Sequence, residues 1–187
     1  MTTRDVLDFW FGDDPQIWQS NRWFRGQDTM DAIMQTQFGA TLDIALTGLL
    51  DSWATTPDGA LALVIVLDQF TRNIHRGTPR AFAGDAKARS IAAAAIKTFA
   101  DRTLTPVQRV FLYLPFEHSE DLEDQDRSAR LFGGLAAFPH LEECVTSAYQ
   151  YRSVIAQFGR FPHRNAILGR KSTRAELAFL ATPGSGF

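Results

Sequence analysis

LALVIVLDQFTRNIHRGTPR, Leu61–Arg80, carries the strongest signal of fold class in the chain. It opens as an unbroken apolar run and closes as a dense set of polar and charged groups. At helical spacing Leu63, Leu67, Phe70 and Ile74 fall on one apolar stripe. Asp68, Arg72, His75 and Arg76 fall on a second, polar stripe of the same rod. A rod that is apolar nearly all round for two turns must lie inside the protein. Its polar continuation is therefore a buried network or the floor of a cleft. Val64-Ile65-Val66 alone would also suit a buried strand. Length, the apolar stripe and the lack of period-2 neighbours favour the helix.

The flanking sequence repeats the helical signal. Arg4–Phe11 reads as a short helix ended by Gly12, with Val6, Leu7, Trp10 and Phe11 inward. Ile17, Trp18, Trp23 and Phe24 add aromatic bulk. Asp28 is placed to cap a helix to about Leu50, with Met34, Phe38, Leu42, Ala45 and Leu49 on one stripe. Thr56-Pro57 opens the central helix, which Gly77 ends. Thr78-Pro79 repeats that start for a segment with Ile91, Ala95 and Phe99 in register. Thr105-Pro106 repeats it again, with Gln108 completing a capping box. Pro115 is expected to stop or kink Val107–Leu114. Ser119 is expected to cap the next helix, whose acidic first turns suit the dipole and which Gly133-Gly134 close. Leu141, Val145, Ala148, Arg152 and Ile155 mark another helix ended by Gly159. Thr173 and Glu176 form a capping box for a last helix to about Ala181, before a non-helical tail, 182–187. The reading is all-α, with short connections that imply antiparallel neighbours.

A chain of 187 residues, 45% hydrophobic and 12% aromatic, suits a single well-packed domain over 1–187. A net charge of -2 argues against a surface built for nucleic acid or anionic membrane. The single cysteine, Cys144, excludes an intramolecular disulfide and fits a reducing cytoplasm. Asp5 and Asp8 lie in the first apolar segment, so it does not read as a secretory signal. No apolar run reaches the roughly 20 residues that span a bilayer. The expectation is a soluble, cytoplasmic protein.

LDFWFG (7–12), LDQFTRN (67–73), RGTPRAFAGD (76–85), FLYLPFEHSED (111–121) and QFGRFPHRNAILGR (157–170) resemble the DUF924 family of bacterial proteins of unknown function. The closing PGSGF is similar to that family's C-terminus. The resemblance covers nearly the whole chain. It implies helix pairs in a tetratricopeptide-repeat-like, right-handed superhelical arrangement, and it brings no established activity. The sequence departs from the family at Thr71 and His75, where proline and an aromatic residue would stand.

Polar groups next to apolar sequence gather in Asp68–Arg80, Glu117–Asp126 and Arg160–Arg170. One reading pairs the arginines of the outer segments with Glu117, Glu120 or Asp121, because a partly buried guanidinium needs such partners. The sharper reading is a cleft where Asp68, Arg72, Arg160, Arg164, Glu120 and Asp121 bind an anionic small molecule or the acidic end of a peptide. In the enzymatic alternative, a small hydrolase, Glu117 and His118 are the catalytic candidates, since a carboxylate orients and tunes an imidazole. His75 and His163 approaching His118 would suit a metal, but no HExxH or other fixed spacing exists, so no metal or cofactor is expected. GxGxxG, GxxxxGK[ST] and GxSxG are all absent. Cys144 sits on an apolar helix face and reads as inert core. The spatial expectation is that Asp68, Arg72, Glu117, His118, Arg160 and Arg164 meet around one cleft.

Overall fold

The computed structural model describes residues 1–19, 23 and 28–183, the side chain of residue 28 excepted. Every regular element among them is helical. Phe24, the expected cap from the Asp28 side chain and the last four residues of the tail lie outside the described residues.

Caps written into the sequence start most of the helices. Thr2 and Asp5 form a capping box for α1 (Thr3–Phe11). In α2 (Asp28–Thr47) Met34, Phe38, Leu42 and Ala45 are buried as the stripe requires. The helix stops before Gly48, whose φ of 92° takes the chain out of helical geometry, and Leu49 is exposed rather than inward. Thr56 caps α3 (Pro57–Val64), with Pro57 in its first turn.

The central rod does not continue as a plain α-helix. Ile65–Phe70 is a π-helical turn, which passes directly into α4 (Thr71–Ile74). A π turn breaks the regular hydrogen-bond ladder and leaves carbonyls in need of donors. The Thr71 hydroxyl supplies one, donating to the carbonyls of Leu67 at 2.6 Å and Val66 at 3.2 Å. Leu63, Leu67, Phe70 and Phe111 are all fully buried, as the stripes predict.

Downstream, several boundaries differ from expectation. Thr78-Pro79 opens only a 3₁₀ turn (Pro79–Phe82), without a bond from the Thr78 hydroxyl to a cap N–H, and α5 (Asp85–Lys97) begins after Gly84. The buried stripe of α5 is Ala88, Ala92 and Ala95; Phe99 is exposed, with a left-handed φ of 60°. The Thr105–Gln108 box opens α6 (Pro106–Glu117), and Pro115 lies inside it. Proline there removes one bond of the final turn, and His118 N still reaches the Leu114 carbonyl at 2.9 Å, so the helix runs on. Asp121, not Ser119, caps α7 (Leu122–Gly133); Ser119 instead accepts from Asp121 N and donates to Asp124. α8 (Glu142–Phe158) ends at left-handed Gly159, and the Thr173–Glu176 box opens α9 (Arg174–Leu180).

The rod is surrounded. α3 packs on α1, α5 and α6, and the π turn packs on α2, α5 and α6. α6 also packs on α7 and α8. The main core is continuous around these elements, with a smaller cluster at Val154, Ile155 and Phe161. Trp10, Phe11 and Trp23 close edge-on or stacked around Phe111 and one another. No helix among the described residues is long and apolar enough to cross a membrane.

Candidate functional site

A cavity of about 460 Å³ opens where the π turn, the end of α6 and one face of α8 meet. Trp18, Trp23, Val110, Leu114 and Phe132 give it apolar walls, and Gln69, Arg72, Glu117, His118, Ser147 and Tyr151 a polar end. Its size and its mix of apolar wall with few polar groups are those of a small-molecule pocket.

Asp68 has no solvent exposure and sits on the π turn. Its Oδ1 is 2.8 Å from His118 Nδ1 and 3.4 Å from Arg72 Nη2, while Oδ2 accepts from Gln69 Nε2 at 2.5 Å. Burial alone would raise its pKa. The facing His118 and Arg72 groups and these hydrogen bonds outweigh burial and hold the carboxyl well below the usual carboxylate range. Asp68 is ionised.

His118 Nδ1 also lies 3.3 Å from Arg72 Nε. One nitrogen cannot donate to Asp68 and accept from Arg72 through the same site. The shorter, charge-assisted contact decides it: Nδ1–H donates to Asp68. Burial, then the Arg72 charge, pushes the imidazole pKa down, so the ring is neutral. The lone pair is then on Nε2, to which nothing among the described residues donates, on a side chain lining the cavity. A neutral imidazole held by a buried carboxylate is the arrangement of a general base.

Glu117 is in the opposite state. It is 3% exposed, and its Oε1 accepts from Ser147 Oγ at 3.1 Å. Oε2 is buried without a partner among the described residues. Burial is the main cause that lifts this carboxyl to about 8. One end of the cavity thus has a neutral His118 and a protonated Glu117 in its lining, with an ionised Asp68 behind the histidine.

An unfolded glutamate ionises near 4.5, whereas Glu117 keeps its proton to about 8. The folded state holds the extra proton between those values, so this group costs stability progressively as pH rises through that window. Glu117→Gln cannot ionise. Its melting temperature is expected to match wild type near pH 4 and to exceed it by a margin that grows to pH 8. A pH-independent difference would contradict the assignment.

A model of the family described as "bacterial protein of unknown function", DUF924, matches residues 6–184. The chain belongs to the DUF924 family. A solved structure of a protein of unknown function from Agrobacterium tumefaciens is 35% identical, with 96% of each chain covered and a TM-score of 0.87. No curated protein matches the chain.

In this DUF924 chain the expected single cleft forms only in part. Asp68, Arg72, Glu117 and His118 come together, but Arg160, Glu120 and Asp121 do not line the cavity. Arg160 forks onto Glu176 at 2.6 and 2.9 Å and reaches the Lys171 carbonyl. Glu120 takes a forked pair from Arg170 and accepts from Phe161 N. Asp121 is committed to its cap. These groups fasten helix ends and turns. Arg164 lies behind the site: its guanidinium is stacked between Phe82 and Phe161, 4.8 and 4.5 Å from their centres, with Asp85 3.9 Å away. Burial and nearby Arg72 bring its pKa down to about 10. Asp85 also takes Arg72 Nη2 at 3.1 Å, linking the two guanidiniums.

His75 and His163 do not join His118 in a ligand set, and among the described residues no three His, Cys, Asp or Glu side chains converge to hold a metal ion. Sequence reading missed Gln69, Ser147 and Tyr151. Cys144, Ser147 and Tyr151 follow one another at i, i+3 and i+7, a stripe visible in the sequence that lines the cavity, with Cys144 buried in the main core as expected. The Cys144 thiol is inert, pushed up to about 12 by burial and by Glu117 and Glu143.

Proposed function

We propose that the cavity is the active site of a small-molecule hydrolase, with His118 as general base and Glu117 as general acid. The observation that supports this best is the Asp68–His118 pair, 2.8 Å apart, on a histidine that lines the cavity. His118 Nε2 takes a proton from water as the water oxygen bonds to the substrate's electrophilic carbon. Glu117 delivers its proton to the leaving group as the scissile bond breaks, and the imidazolium's proton then restores it. Asp68 stays ionised, fixing the tautomer and stabilising the transient imidazolium. Glu117, held protonated to about 8, is in the right state to donate at neutral pH.

The anionic-ligand reading has less support, because the guanidiniums that line the cavity, and Arg160 outside it, are already met by carboxylates. Arg72 faces Asp68 and Asp85, Arg76 forks onto Asp31, and Arg160 forks onto Glu176. A panel of chromogenic esters, anilides and phosphoesters tests the choice. The reading expects turnover of a carbonyl substrate, falling at least about 100-fold in His118→Asn, the usual scale for loss of a general base. An equal rate in His118→Asn, or no turnover across the panel, would contradict it.

A further inference from the structure

We propose that the cavity selects an uncharged carboxamide carrying a flat apolar body, and discriminates against the matching carboxylate. This names the substrate class of the site above and rests on that reading of the cavity.

Two unmet hydrogen-bonding positions define the head group. Glu117 is buried, yet its Oε2 has no partner among the described residues. A buried polar atom left bare costs free energy unless something fills the vacancy, and the residue lines the cavity. In its protonated state Oε2–H is a donor that lacks an acceptor, and a carbonyl oxygen is the simplest one.

The second position is Gln69. Asp68 is a carboxylate and only accepts, so the Gln69 amide must turn its NH₂ toward Asp68 Oδ2, as the 2.5 Å contact shows. That fixes the flip and leaves Gln69 Oε1 as an acceptor on a residue that lines the cavity. Nothing among the described residues donates to it. A donor on one side and an acceptor on the other match the two edges of a carboxamide, C=O and N–H. An ester satisfies only the first. A carboxylate would set its charge beside Asp68 and present Gln69 with no donor.

The body of the ligand follows from the walls. Trp18 and Trp23 meet edge-to-face at 5.0 Å, with Leu114 and Phe132 completing the apolar surface. Such walls favour a planar or aromatic substituent. Desolvation of a charged head is not repaid here, since the Arg72 charge is shared by two carboxylates.

The pH dependence belongs to Glu117. The titratable and charged groups around it are Asp68 on the π turn, Arg72 on α4 and Arg76 just beyond it, His118 beside it, and Glu143, Cys144 and Tyr151 on α8. Asp68 stays ionised, His118 titrates lower, and burial pushes Cys144 to about 12 and Tyr151 also upward. Between pH 7 and 9 Glu117 is the group among them that changes charge, losing its donor and gaining a charge against the carbonyl.

The test is calorimetric binding of 2-naphthamide, methyl 2-naphthoate and 2-naphthoate to the whole protein. The expected order at pH 7 is amide, then ester, then carboxylate, with at least tenfold between the first and last. Amide affinity is expected to fall from pH 7 to 9 in wild type. Glu117→Gln, which keeps an N–H donor, is expected to retain binding and lose that pH dependence. Carboxylate binding as tight as amide, or no binding by any of the three, would overturn the proposal without any variant having to fold. Amide selectivity with His118-independent chemistry would sink the hydrolase reading alone. His118-dependent turnover of carboxylates would sink this selectivity alone.

Discussion

Asp68→Ala is expected to destabilise the protein by about 3–5 kcal/mol, the range for removing one partner of a buried ion pair. Asp68 is wholly buried, and three side chains depend on it: Arg72, His118 and Gln69. Its removal leaves the His118 Nδ1–H and the Gln69 NH₂ without an acceptor, and Arg72 with Asp85 as its remaining carboxylate. Contrast the Arg4–Asp8 pair, whose side chains are 84% and 61% exposed. Asp8→Ala should cost under about 1 kcal/mol, because solvent screens such a pair and competes for it. Denaturant unfolding of both variants checks the comparison. Equal, small losses would mean that the Asp68 network contributes no more than a surface pair.

Gly84→Ala is expected to cost at least about 3 kcal/mol, at the upper end for overpacking. A Cβ at residue 84 would stand 2.0 Å from the Leu67 carbonyl oxygen and 2.8 Å from its carbon. Those are backbone atoms of the π turn, buried on every side, and they cannot swing away as a side-chain tip would. Relief requires moving the turn that accepts the Thr71 hydroxyl and carries Asp68 and Gln69. The damage should therefore reach the site, weakening any activity measured there along with stability. Gly77→Ala is the control: its φ is 75° but nothing lies within 4 Å of the added carbon, so only left-handed backbone strain of about 1–2 kcal/mol is at stake. If the two variants melt alike, Gly84 is not the close packing contact described.

The helices were legible because their signals are local. Thr105 with Gln108 and Thr173 with Glu176 make capping boxes from residues three apart, and the structure has both. Asp68 and Arg72 were legible as a site because the buried run beside them allows no solvent. What depends on tertiary approach was not legible. The π turn needs Gly84 against Leu67, two groups 17 positions apart in sequence that meet only once α5 packs on the rod. The partner choice of each arginine was equally hidden, since a sequence shows which charges exist and not which carboxylate lies within reach. Arg170 takes Glu120, and Arg160 takes Glu176. Ser147 was passed over because a lone serine on a helix carries no signal until Glu117 faces it. Phe99 was misplaced because periodicity continued past the point where the backbone turns left-handed.

Asp68 holds His118 as a neutral base with its lone pair on Nε2. Two-bond ¹⁵N–¹H correlation spectra of the histidine rings test it most directly, with His118→Asn used to assign the His118 signals. At pH 7 a pyrrole-like, protonated Nδ1 and a pyridine-like Nε2 are expected, persisting as pH falls below 6.5 because burial and Arg72 disfavour the imidazolium. An Nε2-protonated tautomer, or an imidazolium already formed at pH 7, would contradict it.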